Sequence, residues 1–169
     1  PEEAIVYPSY WTTRVEYEAE LALVIGRRAQ RVAACDAADV IFGYTCLNDV
    51  TARDLQRRDG QWTRGKSFDT FCPIGPAIVS GIDPANLAVR GILNGVVKQS
   101  SSTAHLIFGV PAIVAFVSHV MTLEPGDVIA TGTPAGVGPL QPGDVVDVEI
   151  EQIGRLRNRV VRGAPSCVE

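Results

Sequence analysis

The sequence predicts a mainly β domain, α+β in class, with strands of mixed direction and short helices packed outside them. Three observations predict it. Residues 15 to 25 form an eleven-residue apolar-leaning run closed by Gly26, which is a strand by length, branching and punctuation. Asn94-Gly95 between apolar runs is a strong type I′ hairpin signal. The last third alternates short strand-like runs with turns: Val128 to Ala130, Val145 to Ile150 and Leu156 to Val161, separated by a glycine-rich loop (131–138) and a Pro142-Gly143 turn. With 169 residues, 46% of them apolar and 20% charged, residues 1–169 read as one domain with ample core.

Taken in order, the run 15–25 is followed by Asp36 to Asp39, expected to cap and begin a short helix. Ile41 to Leu47 reads as a second strand. The charged stretch Thr51 to Asp59 ends at Gly60 and suits one or two exposed helical turns. Ile78-Val79 and Leu87 to Leu93 are strand-like, and Ser102/Thr103 begin a turn. Pro111 then sits well at the first position of a helix. That helix carries Val110, Ile113, Val114, Val117, Val120 and Met121 as a one-sided apolar stripe, and Glu124-Pro125-Gly126 stops it.

The net charge of −4, with no basic tract and 7% aromatic residues, argues against a nucleic-acid partner. The longest apolar stretch, Val110 to Leu123, is too short to span a bilayer. Cys35, Cys46, Cys72 and Cys167 are scattered, with no metal or redox spacing, so reduced and buried thiols are expected, in a cytoplasmic protein. The chain opens at Pro1 rather than Met, which leads us to expect that part of the natural N-terminus, including a lid, precedes it.

Four segments could carry chemistry. In V-E-Y-E-A-E-L (15–21) a strand places Glu16, Glu18 and Glu20 on one face at steps of roughly 7 Å. They read either as a solvated face or as hard oxygen ligands for Mg²⁺, Mn²⁺ or Ca²⁺. The second reading draws on the following L-A-L-V-I, which has the pattern of a strand buried on both sides. In N-D-V-T-A-R-D-L-Q (48–56), Asp49 follows a strand-like run, while Arg53 and Gln56 lie three apart on one helical face. The alternative there is Asp49 or Thr51 as a simple helix cap. G-Q-W-T-R-G-K-S (60–67) formally matches a phosphate loop but lacks the preceding strand and following helix, leaving Lys66 as a lone cation. T-G-T-P-A-G-V-G (131–138) is either a tight turn or a loop whose backbone and hydroxyls approach a ligand. His105 and His119 have no partnered nucleophile motif.

Together these runs, with G-K-S-F-D-T-F-C-P-I-G-P (65–76), N-G-V-V-K-Q (94–99) and M-T-L-E-P-G-D-V-I-A (121–130), resemble the fumarylacetoacetate hydrolase family. Within the family they look most like the bacterial branch that includes 2-hydroxyhepta-2,4-diene-1,7-dioate isomerase-like proteins, acylpyruvases and oxaloacetate decarboxylases. The resemblance implies a mixed β-sandwich roll, a homodimer, and a divalent cation, commonly Mg²⁺. The family's metal ligands fall on Glu18, Glu20 and Asp49, its active-site lysine on Lys66, and its substrate contacts on Arg53, Gln56 and Thr133. Glu16 lies where an acidic residue is common but is not a ligand. The family's water-activating His–Glu lid pair has no match in these residues.

What the resemblance implies is an enzyme for small anionic 2-oxo or 2,4-dioxo acids that cleaves a C–C bond, by hydrolysis or decarboxylation, through a metal-stabilised enolate. Keto–enol isomerisation is the alternative reaction. A non-catalytic, metal-stabilised binding or assembly module is the alternative of a different class.

Overall fold

The computed structural model describes residues 1–163. Its elements are β1 (Ile5–Tyr7), β2 (Val15–Tyr17), β3 (Ala19–Ile25), a 3-10 segment (Ala34–Val40), β4 (Ile41–Asn48), β5 (Thr51–Ala52), α1 (Arg53–Asp59) and α2 (Thr63–Lys66). There follow β6 (Ile74–Val79), β7 (Ala88–Leu93), β8 (Val96–Ser102), α3 (Val110–Val120), β9 (Val128–Ala130), β10 (Gly138–Pro139), β11 (Val145–Ile150) and β12 (Gly154–Arg162). Strands dominate and helices are short, as the sequence predicts. The sheets run β1-β12-β11-β7-β8, β10-β2-β5 and β6-β4-β3-β9. Of their pairings only β1 with β12 is parallel.

The expected strand over residues 15–25 is two strands. Residues 15–17 pair with β5 and β10, residues 19–25 pair with β4 and β9, and Glu18 is the joint between them. The side chains follow the same division. Val15 and Tyr17 pack into one apolar cluster with Leu55, Leu140 and Val146, whereas Ala19, Leu21, Leu23 and Ile25 pack into a second with Tyr44, Val114 and Leu156. Every residue of β3 is buried, which explains its unbroken apolar run.

Other expectations need adjustment. Residues 34–40 form a 3-10 segment, and its N-cap is Ala33 with no side-chain cap, so Asp36 lies inside the first turn rather than starting it. The stretch 51–59 divides into β5 and α1, whose N-cap Ala52 also lacks a side-chain bond, and neither Asp49 nor Thr51 caps it. On α3 the buried face is Val110, Val114 and Ser118, while Val120 and Met121 are exposed. Ser118 is buried because its Oγ accepts from the Val32 N–H at 2.9 Å and donates to the Ala115 carbonyl at 2.9 Å. The hairpin over Asn94-Gly95 has positive φ at both residues (51° and 80°), as a type I′ turn requires. Of the thiols, Cys46 is buried but Cys35 and Cys72 are exposed, and Cys167 lies outside the described residues. No helix among the described residues is long and apolar enough to cross a membrane.

Candidate metal and oxo-acid site

The joint at Glu18 organises the site. A strand break exposes backbone groups that must find partners if they are to be buried. Here Asn48 Oδ1 accepts from the Glu18 N–H at 3.0 Å, and the Asp49 N–H donates to the Glu18 carbonyl at 2.9 Å. This second bond pins Asp49, at the end of β4, beside Glu18. The glycine-rich loop then runs along the next residues. Thr131 Oγ1 donates to the Leu21 carbonyl (2.8 Å), Thr133 Oγ1 to the Ala19 carbonyl (3.0 Å), and the Gly132 N–H to Glu20 Oε2 (2.6 Å). Gly132 adopts φ +102°, a conformation that favours glycine, and so presents its amide to the carboxylate.

Glu16, Glu18 and Glu20 are all buried, at 3%, 7% and 3% exposure, so the solvated-face reading does not hold. Their roles differ. One oxygen each from Glu18, Glu20 and Asp49 lie within 4.8 Å of one another. Oxygens around a hard divalent ion at about 2.1–2.4 Å are spaced by about 3–5 Å, so the donor set fits such an ion in both chemistry and span. Glu16 instead accepts from Arg53 Nε at 2.7 Å and from Arg14 Nε at 2.6 Å.

Lys66 reaches this cluster because α2 packs tightly on α1. A Cβ on Gly65 would lie 3.2 Å from Gln56 and 3.3 Å from the Ala52 carbonyl, so glycine is what permits the approach. The Gly65-Lys66 pair thus has a packing reason unrelated to phosphate. Lys66 Nζ donates to Glu18 Oε2 (3.1 Å), to Asp49 Oδ2 and to Thr51 Oγ1 (3.0 Å), and lies 5.9 Å from the centre of the Trp62 ring.

Electrostatics follow from this arrangement. Burial raises Glu20 to about 7; the Gly132 amide offsets this only in part, and Asp49 and Glu18 add to the rise. Burial likewise raises Asp49, against the pull of Lys66. Lys66 is held above the ordinary lysine range: burial works against its charge, and Asp49 and Glu18 outweigh burial. Glu18, Glu20 and Asp49 thus face two cations, Lys66 and an Arg53 that is shared with Glu16, an excess of carboxylate that a bound cation would offset.

Arg53, Gln56 and Thr133 meet Glu18 at the wall of an open cavity of about 570 Å³. The Arg53 guanidinium donates to Glu16, to Glu18 Oε1 and, through Nη1, to Gln56 Oε1 at 2.7 Å. A second cavity, of about 630 Å³, shares Thr133 and Pro134 and is lined by Leu21, Ile107 and His105. His105 Nδ1 lies 3.3 Å from Ser101 Oγ, and His119 is exposed on α3 with its Nδ1 2.8 Å from the Ala115 carbonyl. Sequence reasoning missed Asn48, Thr51, Arg14 and Gln99, and missed Glu16 as the partner of Arg53. Only the shared face of 16, 18 and 20 signalled the last of these.

A family model described as fumarylacetoacetate (FAA) hydrolase C-terminal matches residues 1–161. The chain is 57% identical over 166 residues to an uncharacterized protein of Methanocaldococcus jannaschii, covering 95% of this chain and 70% of that one. It is 47% identical over 159 residues to oxaloacetate tautomerase YisK of Bacillus subtilis, covering 88% and 53%. The solved structure of 5-carboxymethyl-2-hydroxymuconate delta-isomerase from Mycobacterium smegmatis matches with a TM-score of 0.96 at 50% identity, over 98% of this chain and 65% of that one. Maleylpyruvate hydrolase from Sphingobium sp. SYK-6, in complex with manganese (II) and pyruvate, matches with a TM-score of 0.89 at 41% identity, over 97% and 61%. The chain thus spans between 53% and 70% of the length of these relatives.

Proposed function

The chain belongs to the fumarylacetoacetate hydrolase family, and from that premise we propose that Glu18, Glu20 and Asp49 hold a divalent cation, Mg²⁺ or Mn²⁺, at which a small anionic 2-oxo acid is converted. The observation that carries this reading is the convergence of three carboxylate oxygens within 4.8 Å beside a lysine ammonium and an arginine-lined cavity. When bound, the cation supplies Lewis-acid stabilisation of negative charge that develops on the substrate's oxo oxygen.

The chain's own residues supply the rest. Lys66, held protonated by Glu18 and Asp49, contributes a fixed positive charge beside the growing oxyanion, its three N–H donors being engaged by Glu18, Asp49 and Thr51. Arg53 keeps donors beyond those committed to Glu16, Glu18 and Gln56, and the Gln56 amide nitrogen sits beside them. These donors grip the substrate's far carboxylate and orient the bond that reacts. Thr133, which lines the same cavity, adds a hydroxyl oxygen.

Keto–enol tautomerisation or isomerisation is the reaction we favour, because relatives at 47% and 50% identity carry the names oxaloacetate tautomerase and delta-isomerase. C–C cleavage is the second reading, supported by the maleylpyruvate hydrolase neighbour with its manganese and pyruvate. The protein is further proposed to act as a homodimer. The test mixes full-length protein and Mn²⁺ or Mg²⁺ with oxaloacetate or acetylpyruvate and follows the enol absorbance. Wild type accelerates its change, and Glu18→Ala loses both turnover and cation binding. A Glu18→Ala protein of normal activity would overturn the scheme. Intact metal binding without turnover of either acid would favour the binding-module alternative.

A further inference from the structure

Strand β8 is exposed or half-exposed along its length except at one residue, and that residue is polar: Gln99 has no exposed surface. Burying an amide is unfavourable unless its donor and acceptor ends are partnered. Both ends are. Gln99 Oε1 accepts from the Ala19 N–H at 3.0 Å, and Nε2 donates to Thr133 Oγ1 at 2.8 Å and to the Pro134 carbonyl at 2.8 Å. Thr133 Oγ1 donates in turn to the Ala19 carbonyl. Two glycines make room for this side chain. Gly91 faces Gln99 in register beside a bulge, and a Cβ there would lie 2.5 Å from Gln99 Oε1. At Gly136, where φ is +105°, a Cβ would meet the Lys98 carbonyl at 2.2 Å and Gln99 Cγ at 3.2 Å.

Ala19 is the residue between Glu18 and Glu20. We propose that Gln99 is a positioning residue: it locks the peptide between the two glutamates to the glycine-rich loop, and it fixes the direction of the Thr133 hydroxyl. The hydroxyl has one proton, and that proton is committed to the Ala19 carbonyl. One lone pair is committed to Gln99, so the remaining lone pair offers a ligand acceptance only. Thr133 then favours an enol or other hydroxyl over a carboxylate. This role rests on the reading above, in which Glu18 and Glu20 hold a cation and Thr133 faces the substrate.

The test measures Mn²⁺ affinity together with kcat and KM for oxaloacetate in the full-length protein. Gln99→Met, checked for folding by circular dichroism, is expected to weaken Mn²⁺ binding about tenfold, as loss of a supporting hydrogen bond around a metal site does, and to raise KM. Thr133→Val raises KM with Mn²⁺ affinity within twofold of wild type. Combining the two raises KM no further than Gln99→Met alone, because both break one network. Gln99→Glu keeps an acceptor for the Ala19 amide, so it regains Mn²⁺ affinity while KM stays high. A folded Gln99→Met protein with wild-type Mn²⁺ affinity and KM overturns the role, as do additive KM effects. Where Gln99→Met does not fold, Gln99→Glu decides: affinity kept with raised KM supports the role, and any other pairing overturns it. Wild type that neither binds Mn²⁺ nor turns over oxaloacetate overturns the functional reading beneath it.

Discussion

One guanidinium, that of Arg53, holds Glu16 and Glu18 on one side and Gln56 on the other. Its removal leaves Glu16, 3% exposed, with only the half-exposed Arg14 as counter-charge. Arg53→Met should therefore destabilise the fold by about 3 kcal/mol, and adding Glu16→Gln should recover part of that, read as chemical-denaturation midpoints. Asp54, its neighbour, has a separate duty. Its carboxylate accepts from the hydroxyl of Thr12, from the Thr13 N–H (2.9 Å) and from the Leu55 N–H (2.9 Å), tying the segment before β2 to α1. Burial raises its pKa, but these donors outweigh burial and hold it below the usual 3.8. A depressed carboxylate stabilises the fold above its unfolded pKa, and the contribution is lost as pH falls through the folded value. Asp54→Asn should thus cost about 1 kcal/mol at pH 7, discounted for solvent exposure. Its gap to wild type should close below about pH 4; a gap constant down to pH 2 contradicts this.

Among the elements, α2 is a single turn whose purpose is to deliver Lys66, and Gly65 sets how closely it lies on α1. Gly65→Val should lift α2 by forcing Gln56 and Ala52 away. The expected result is a KM rise and kcat loss comparable to Lys66→Met, with a modest fall in Tm; unchanged kinetics would mean that the turn does not position the lysine. Strand β3 tests the core instead. Leu23 is fully buried in the larger apolar cluster, so Leu23→Ala should cost about 2–5 kcal/mol by thermal or denaturant unfolding. The break at Glu18 escaped sequence reading because strand periodicity continues through it: Glu16, Glu18 and Glu20 still share a face while the chain changes sheets. Helix α3 misled for a related reason. Hydrophobic spacing marked Val120 and Met121 as inward, but the buried face of α3 ends at Ser118, whose hydroxyl and carbonyl bind the Val32 and Arg31 amides.

For the whole molecule, the proposed pairing of two copies matches the apolar side chains left at the surface. Phe116 and Val120, one turn apart on α3, are 72% and 65% exposed, and Ile107 and Phe108 just before α3 are exposed as well. The proposed pairing would bury this patch. Light scattering behind a sizing column should read a dimer, and Phe116→Asp should shift it toward monomer. A clean monomer at every concentration argues against the pairing.

By itself the sequence determined the strand-rich class, the hairpin at Asn94-Gly95 and the common face of the three glutamates, and through resemblance it proposed a role for each of seven side chains. These are properties of short windows, or of runs compared with a family. Only the tertiary structure decided how the carboxylates named by resemblance come together, and that Arg53 joins Glu16 to Glu18. Glu20 meets Gly132 across 112 residues, Gln99 meets Ala19 across 80 and Lys66 meets Glu18 across 48. Separations of that size are closed by sheet register and by the fit of glycines such as Gly65 and Gly91. No periodicity within a strand or helix encodes them.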